Sequence, residues 1–265
     1  MRTNTGIFKS LNLNVTDAEF QNAGFHNSIY REKNITSYLS DGSLWTRISS
    51  GKFDDLFIGD YFNVDFNGKS TLFRLACFDM FYYTGLSSTI YDHHVVIIPD
   101  DSLVSAAMGK SDNSLNGYDY STMRRTTIPT LVQHLETALG ASHIIETNES
   151  LTSHVDQNAK NCLRPNLTGA SSSCSTEFIK ANLLSEVEVF GCMSYSSSGY
   201  ETDYPHYGQL PLFRLNPRRR AASSSTYWLR TIASYNNYCY VNLGGSIDYD
   251  SYATKKGVRP RFVIG

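Results

Sequence analysis

The chain has 265 residues, of which 41% are hydrophobic, and its formal net charge at pH 7 is −2. This length and apolar content suffice for the core of one large domain or two small ones. The nearly neutral charge gives no reason to expect a nucleic acid or a membrane surface as partner. The 18 tyrosines are typical of a protein that displays a contact surface.

The first residues lack the uninterrupted apolar core of a secretory signal, and no later stretch reaches the length of a membrane span. We therefore expect synthesis in a cytoplasm and no insertion into a membrane. The five cysteines are odd in number and form no CxxC or His/Cys cluster, which predicts free buried thiols. A bridge between Cys162 and Cys174 is the open alternative.

Residues 1–41 form the first distinct segment. They are polar and rich in Asn, Ser and Thr, which predicts a loosely ordered arm or an assembly segment that orders against neighbouring subunits. A single domain is predicted from residue 42 to residue 265. It opens with a short helix in which Leu44, Trp45 and Ile48 make one apolar stripe.

Three strands are predicted after this helix. Residues 56–66 and 70–79 are rich in β-branched and aromatic side chains, and Asn67-Gly68 between them is a strong hairpin signal. A continuous apolar run over residues 94–98 predicts a strand that is buried on both faces.

The sequence Asp92-His93-His94 raises the question of a metal site. Adjacent residues of a strand point to opposite faces, so both histidines do not easily reach one ion. We predict no metal site here and expect His94 to be a hydrogen-bonded structural residue.

The middle of the chain predicts more helix. A short helical piece is expected around residues 103–108 within a loop. Residues 127–139 have a proline in the first turn, apolar residues at helical spacing and a glycine as stop. A second helix over residues 146–158 has a thin apolar face. Residues 178–190 predict a helix or turn that leads into a strand, and residues 191–207 repeat a Tyr/Ser pattern that would suit a rim.

The last forty residues contain the most regular pattern. Residues 238–243 alternate, with Cys239, Val241 and Leu243 on one face. A second alternating run covers residues 246–252. If register follows burial, a three-residue loop over residues 244–246 connects the two strands. The pairs expected on the buried face are Leu243 with Ile247, Val241 with Tyr249, and Cys239 with Ser251. Those on the other face are Asn242 with Asp248, Tyr240 with Asp250, and Tyr238 with Tyr252.

The outward face of this hairpin is rich in Tyr, Asn, Ser and Asp. Tyr supplies large, rigid contact area and Ser, Asn and Gly supply adaptable hydrogen bonds, as in antibody-type binding sites. The composition therefore predicts a binding face, and an exposed polar edge hairpin that binds nothing is the alternative.

A family resemblance supports the binding face. Asn, Tyr, Ser and Asp are the residues reached when one adenine of an AAC codon is kept or changed. This stretch, bracketed by YWLR and GVRPRF, resembles the variable region of proteins that adenine-mutagenising retroelements diversify in phages and prophages of gut bacteria. The resemblance extends upstream through GQLPLFRLNP, SEVEVFG, HHVVIIPD and FIGDYFNV, and thus covers roughly residues 44–265.

The resemblance implies an α+β, C-type-lectin-like fold with a mixed or antiparallel sheet, two helices and a C-terminal variable region over residues 226–265. It implies a hypervariable receptor-binding protein of a phage tail, made in the bacterial cytoplasm and carried on the virion. Its partners would be a protein or glycan on the host cell surface and other tail proteins. Tail-tip proteins are commonly trimers, so the resemblance also suggests a homotrimer. The expected ligand-binding residues are Tyr235, Asn236, Asn237, Tyr238, Tyr240, Asn242, Ser246, Asp248, Tyr249, Asp250 and Tyr252.

Enzymatic motifs are missing from the sequence. It has no GxSxG, HExxH, P-loop or GxGxxG after a strand, so we predict no enzyme and no cofactor. Asp248 and Asp250 have the spacing of a catalytic pair or a calcium site, but they lie in the stretch that such a family randomises. A structural virion component without a ligand, a calcium-dependent sugar-binding lectin and an enzyme remain the alternatives.

Overall fold

The computed structural model describes residues 22–82, 90, 92–109, 117–152, 174–195, 208–234 and 236–265. Within them the fold is α+β, with mostly antiparallel sheets and few helices. None of the described helices is both long and apolar enough to cross a membrane.

The described elements follow in chain order. The first half contains α1 (Ala23–His26), α2 (Thr36–Ser40), α3 (Ser43–Ser49), β1 (Tyr61–Phe66), β2 (Lys69–Phe78), β3 (Val95–Pro99), β4 (Val104–Ala106), a π-helical turn (Met123–Thr127), α4 (Ile128–Leu139) and a 3₁₀ turn (Ala141–His143). The second half contains β5 (Thr147–Thr152), β6 (Cys174–Ile179), β7 (Ala181–Leu183), α5 (Glu186–Phe190), α6 (Pro211–Leu215), a 3₁₀ turn (Pro217–Arg220), β8 (Tyr227–Ser234), β9 (Asn237–Val241), β10 (Ile247–Ser251), β11 (Lys256–Val258) and β12 (Pro260–Ile264).

The strands form two five-stranded sheets and one pair. The first sheet has the order β1-β2-β3-β12-β7 and the second has the order β10-β9-β8-β11-β4, while β5 and β6 pair separately. Between these strands every pairing is antiparallel except that of β11 with β8. The last strands of the chain therefore belong to both large sheets.

Arg259 lies where the chain passes from one sheet to the other. Its side chain is fully buried, and its guanidinium donates to the carbonyl oxygens of Pro99 at 2.8 Å and Arg219 at 3.0 Å. The rings of Tyr227 and Phe213 lie beside it. Carbonyl and ring partners compensate the buried charge, so this residue fixes the crossing between the sheets.

The predicted β1–β2 hairpin is confirmed. Asn67 and Gly68 both have positive φ, 51° and 77°, as a two-residue primed turn requires. β1 begins at Tyr61 and not at residue 56, because Asp60 organises a turn before it. The Asp60 carboxylate accepts from the backbone N–H groups of Phe57 and Lys33, both at 2.9 Å.

Residues 22–41, which the sequence assigned to an arm, pack against the rest of the chain. Ile35 is fully buried, and Arg31 forms an ion pair with the buried Asp60 at 2.6 Å. Single β-bridges join Tyr30 to Ile58 and Asn34 to Tyr61. The predicted boundary after residue 41 thus does not coincide with a break in packing, and residues 1–21 lie outside the described part.

Several helix predictions need correction. The helix at 127–139 is confirmed as α4, and β3 is buried along its whole length as expected. Residues 104–106 form a strand instead of a helical piece, because they pair with β11. Residues 147–152 form β5 instead of the second helix, because they pair with β6. In the 178–190 segment the strand β7 precedes the helix α5, in the reverse of the predicted order.

Candidate functional site

The β9–β10 hairpin, which carries most of the predicted ligand-binding residues, has a different register from the predicted one. The observed pairs are Asn237–Ser251, Tyr238–Asp250, Cys239–Tyr249, Tyr240–Asp248 and Val241–Ile247. The predicted register is therefore wrong by two residues, and the connection runs over residues 242–246.

Turn chemistry sets this register. The side-chain oxygen of Asn242 accepts from the backbone N–H groups of Gly244 at 2.9 Å and Ser246 at 3.1 Å. Gly245 has a φ of 79°, in the left-handed region that glycine adopts without strain. Leu243 is left in the loop with 62% of its surface exposed, against the expectation that it pairs on the buried face.

A shift of two residues preserves the assignment of side chains to faces. Cys239 and Val241 are fully buried on the underside, as predicted, and Ile247 is half-buried beside them. Tyr249 shares this side but lies on the edge strand, where 45% of its surface is exposed. Its ring packs edge-on against the ring of Tyr195, with 5.1 Å between the ring centroids. The hairpin backbone is thus anchored from below.

The upper side of the hairpin is partly accessible. Tyr240, Asp248 and Asp250 are half-buried, and the Tyr240 hydroxyl donates to Asp248 at 3.1 Å. Tyr238, predicted to face a ligand, is only 1% exposed. It lies on the middle of three strands, between Ile232 and Asp250, and this position removes it from the contact surface.

The remaining predicted positions surround this upper side. Asn236 and Ser246 are exposed, whereas Asn237, Asn242 and Tyr252 are half-buried. Asn237 donates to the Ser234 hydroxyl at 2.8 Å. Tyr235 lies outside the described residues. The accessible predicted positions therefore come from both ends of the hairpin and from its edge strand.

The structure adds two residues to the upper side that the sequence analysis did not select. Lys256 places its ammonium 3.7 Å from the centre of the Tyr240 ring and 2.8 Å from the Asp250 carboxylate. Trp228 lies beneath, 5.3 Å from the same ammonium, and its indole N–H donates to the Ala106 carbonyl at 3.0 Å. The available signal in the sequence was the lysine pair Lys255-Lys256, which follows two aspartates.

The charges on this face perturb one another. The hydrogen bond from Lys256 holds the pKa of Asp250 below its ordinary value. Burial, together with the hydrogen bond to Asp248, raises the pKa of the Tyr240 hydroxyl. At neutral pH the face thus presents an ionised Asp250 carboxylate beside a neutral phenol.

Among the described residues no group of three or more His, Cys, Asp and Glu side chains is arranged to hold a metal ion. His94 is a hydrogen-bonded structural residue, as predicted. Its Nε2 accepts from the Phe81 N–H and its Nδ1 lies 2.9 Å from the Asp92 carbonyl oxygen.

The cysteines are partly as predicted. Cys77, Cys239 and Cys192 form no disulfide; the first two are buried, whereas Cys192 is exposed, so burial was wrongly predicted for it. Residue 162 and the side chain of residue 174 lie outside the described part, and so does the alternative bridge between them.

Comparison with known proteins gives one match. The model of a family described as a domain of unknown function, DUF6273, matches residues 93–265, which is more than half of the chain. The matched region includes the β9–β10 hairpin, α4 and both strands that flank the sheet crossing at Arg259. No curated protein and no solved structure matches the chain.

Proposed function

The chain belongs to the DUF6273 family, and we propose that it is a hypervariable ligand-binding protein that displays the β9–β10 hairpin to a receptor. The ligand would be a protein or glycan on the surface of a host cell. The protein would be carried on the tail of a phage or prophage, in contact with other tail proteins. The main support for this proposal is the structure of the hairpin, in which Cys239 and Val241 are fully buried on one side. Tyr240, Asp248 and Asp250 are partly exposed on the other side.

In this arrangement one set of side chains supports the hairpin backbone and a different set forms the surface that a ligand would contact. Substitution of an exposed side chain changes stability by about 0.5 kcal/mol or less, whereas buried positions are far less tolerant. The upper side chains therefore could vary while the underside keeps the backbone in place. The accessible display positions are Asn236, Asn237, Tyr240, Asn242, Ser246, Asp248, Asp250 and Tyr252, together with Tyr249, which belongs to the underside but is exposed on the edge strand.

For the finer fold we propose a C-type-lectin-like domain. The mixed α+β composition, the antiparallel sheets and the position of the hairpin near the carboxyl end support it. Among the described residues α4 is the one long helix, where two helices were expected. In a homotrimer on a tail, several copies of a weak site would act together, because linked sites gain avidity without new contacts.

The first test is genetic. We expect the gene neighbourhood to encode a reverse transcriptase and a near-copy of the last hundred or so bases that differs only at adenines. Sequencing of many clones should find substitutions at the codons of Tyr240, Asp248 and Asp250 and none at those of Cys239 and Val241. Equal substitution rates at buried and exposed codons would contradict hypervariable display.

The second test is binding. Fluorescently labelled full chain is incubated with a panel of intact gut-bacterial cells and with a glycan array. A variant with Tyr240→Ser, Asp248→Asn and Tyr249→Ser should lose binding to any target of the parent protein, while Lys255→Gln serves as a control outside the display positions. Excess EDTA should leave binding unchanged. Loss of binding in EDTA would indicate a calcium-dependent lectin, and absence of binding on all cells would favour a structural virion component.

A further inference from the structure

Lys256 is held on the upper side of the hairpin sheet by three neighbours. Its side chain is only 9% exposed, although the adjacent Lys255 is exposed to solvent. The Asp250 carboxylate lies 2.8 Å from its ammonium. The ring of Tyr240 lies at 3.7 Å and that of Trp228 at 5.3 Å. An ion pair and cation–π contacts thus compensate the partial burial of this charge.

These neighbours differ in how firmly the fold fixes them. Trp228 is fully buried, and its indole is hydrogen-bonded to the Ala106 carbonyl. Tyr240 and Asp250 are half-buried and belong to the proposed display positions. The wall behind Lys256 is therefore constant, whereas its other two contacts come from residues that the proposed function treats as interchangeable.

We propose that Lys256 is a specificity-determining residue whose availability to a ligand is set by the residues at positions 240 and 250. With Tyr240 and Asp250 in place, the ammonium is held within the face. When either is replaced by a small or neutral residue, the partly buried charge loses its compensation and the flexible side chain extends into solvent. The availability of Lys256 follows from these contacts, and only its use in recognition rests on the proposed function.

The two states present opposite chemistry to a ligand. In the held state the Lys256 charge is offset by Asp250, and the accessible carboxylate of Asp248 favours ligands that bring hydrogen-bond donors. In the released state an ammonium stands on the same face and favours a ligand with a carboxylate, sulfate or phosphate group. A substitution at either position 240 or position 250 would thus change the chemical class of ligand that the face binds, as well as the shape of the face.

The availability of Lys256 is measured without a ligand. Native full chain is treated with trace acetic anhydride, and the acetylation rates of Lys255 and Lys256 are resolved by fragment ions in mass spectrometry. In the parent protein Lys256 should react about tenfold more slowly than Lys255, which corresponds to about 1.4 kcal/mol. In Tyr240→Ser and Asp250→Asn the Lys256 rate should rise toward that of Lys255.

Matched variants distinguish release of the Lys256 side chain from unfolding of the sheet. Tyr240→Phe keeps the ring and should leave Lys256 as slow as in the parent, and Ser246→Ala should do so because the hydrogen bonds of Ser246 go to Asn242 in the turn. Cys239 must stay protected from a thiol reagent in every variant, which shows that the sheet is intact. Equal protection of Lys256 in the parent, Tyr240→Ser and Asp250→Asn would overturn the proposal.

Use of the released ammonium is tested on a dextran sulfate column. Tyr240→Ser leaves the net charge unchanged, yet it should elute at higher salt than the parent, and adding Lys256→Gln should remove the difference. Later elution that persists without Lys256 would refute the recognition role. Because acetylation needs no receptor, failure of the cell-binding experiments would leave the release of Lys256 standing and would count against the proposed function alone.

Discussion

Replacement of Glu149 by Gln should weaken a buried ion cluster that joins three parts of the fold. Arg261 on β12 forms a two-point ion pair with Glu149 on β5, one contact being 2.8 Å long. Its Nε donates to Glu188 on α5 at 2.6 Å. Glu188 also closes a capping box with Ser185 at the start of that helix. All three charged side chains are less than 10% exposed.

The expected loss of folding stability follows from the pKa of Glu149. Burial is the largest single influence and raises this pKa, but the charge and hydrogen bonds of Arg261, together with Arg230 and Asn182, outweigh it and lower the pKa from 4.5 to about 2. That difference corresponds to about 3 kcal/mol, which matches the cost of breaking one partner out of a buried pair. Because the folded pKa lies below the unfolded one, this stability is present in full above about pH 4.5 and is lost as pH falls toward about 2.

The assay is urea unfolding of the parent and Glu149→Gln at pH 7, 5, 4 and 3. At pH 7 we expect a loss of about 3 kcal/mol, or a fall in melting temperature of about 6–12 °C for a chain of this size. The difference between the two proteins should shrink below pH 4.5. Glu177→Gln is the control, because Glu177 pairs directly with Glu149 across β5 and β6 but makes half-exposed ion pairs. It should cost about 1 kcal/mol or less. Equal losses in the two variants, or a pH-independent loss in Glu149→Gln, would refute the reasoning.

Three further outcomes are expected. Val241→Ala should cost about 2 kcal/mol in urea unfolding because it removes fully buried methyl groups, whereas Ser246→Ala in the turn should change stability by about 0.5 kcal/mol or less. Gly68→Ala should cost about 1 kcal/mol through its positive φ alone, since nothing lies within 4 Å of the added Cβ, and rescue by Gly68→Asn would show that backbone strain is the cause. Burial raises the pKa of Cys77 to about 12, so peptide mapping after thiol labelling at pH 8 should find it unmodified while Cys192 reacts; rapid labelling of both would contradict the buried position.

The successes and failures of the sequence predictions have separate causes. The local sequence was sufficient to predict the Asn67-Gly68 turn and the helix α4, because the required φ angles and the apolar spacing are properties of short segments. It failed at residues 104–106 and 147–152, where pairing with distant strands decided the structure. The faces of the paired hairpin residues were predicted correctly, but the register and the burial of Leu243 were not, because the Asn242 side chain organises a longer turn.

The amino-acid pattern is enough to predict which paired side chains of the hairpin share a face, because alternation in a strand is a property of the backbone. It also determined that the outward set is rich in Tyr, Asn, Ser and Asp. Only the tertiary structure decided that Tyr238 is buried, since its exposure depends on strands to either side of it. The contact of Lys256 with Tyr240, Trp228 and Asp250 is likewise a tertiary result, because it brings together four strands whose order no local pattern encodes.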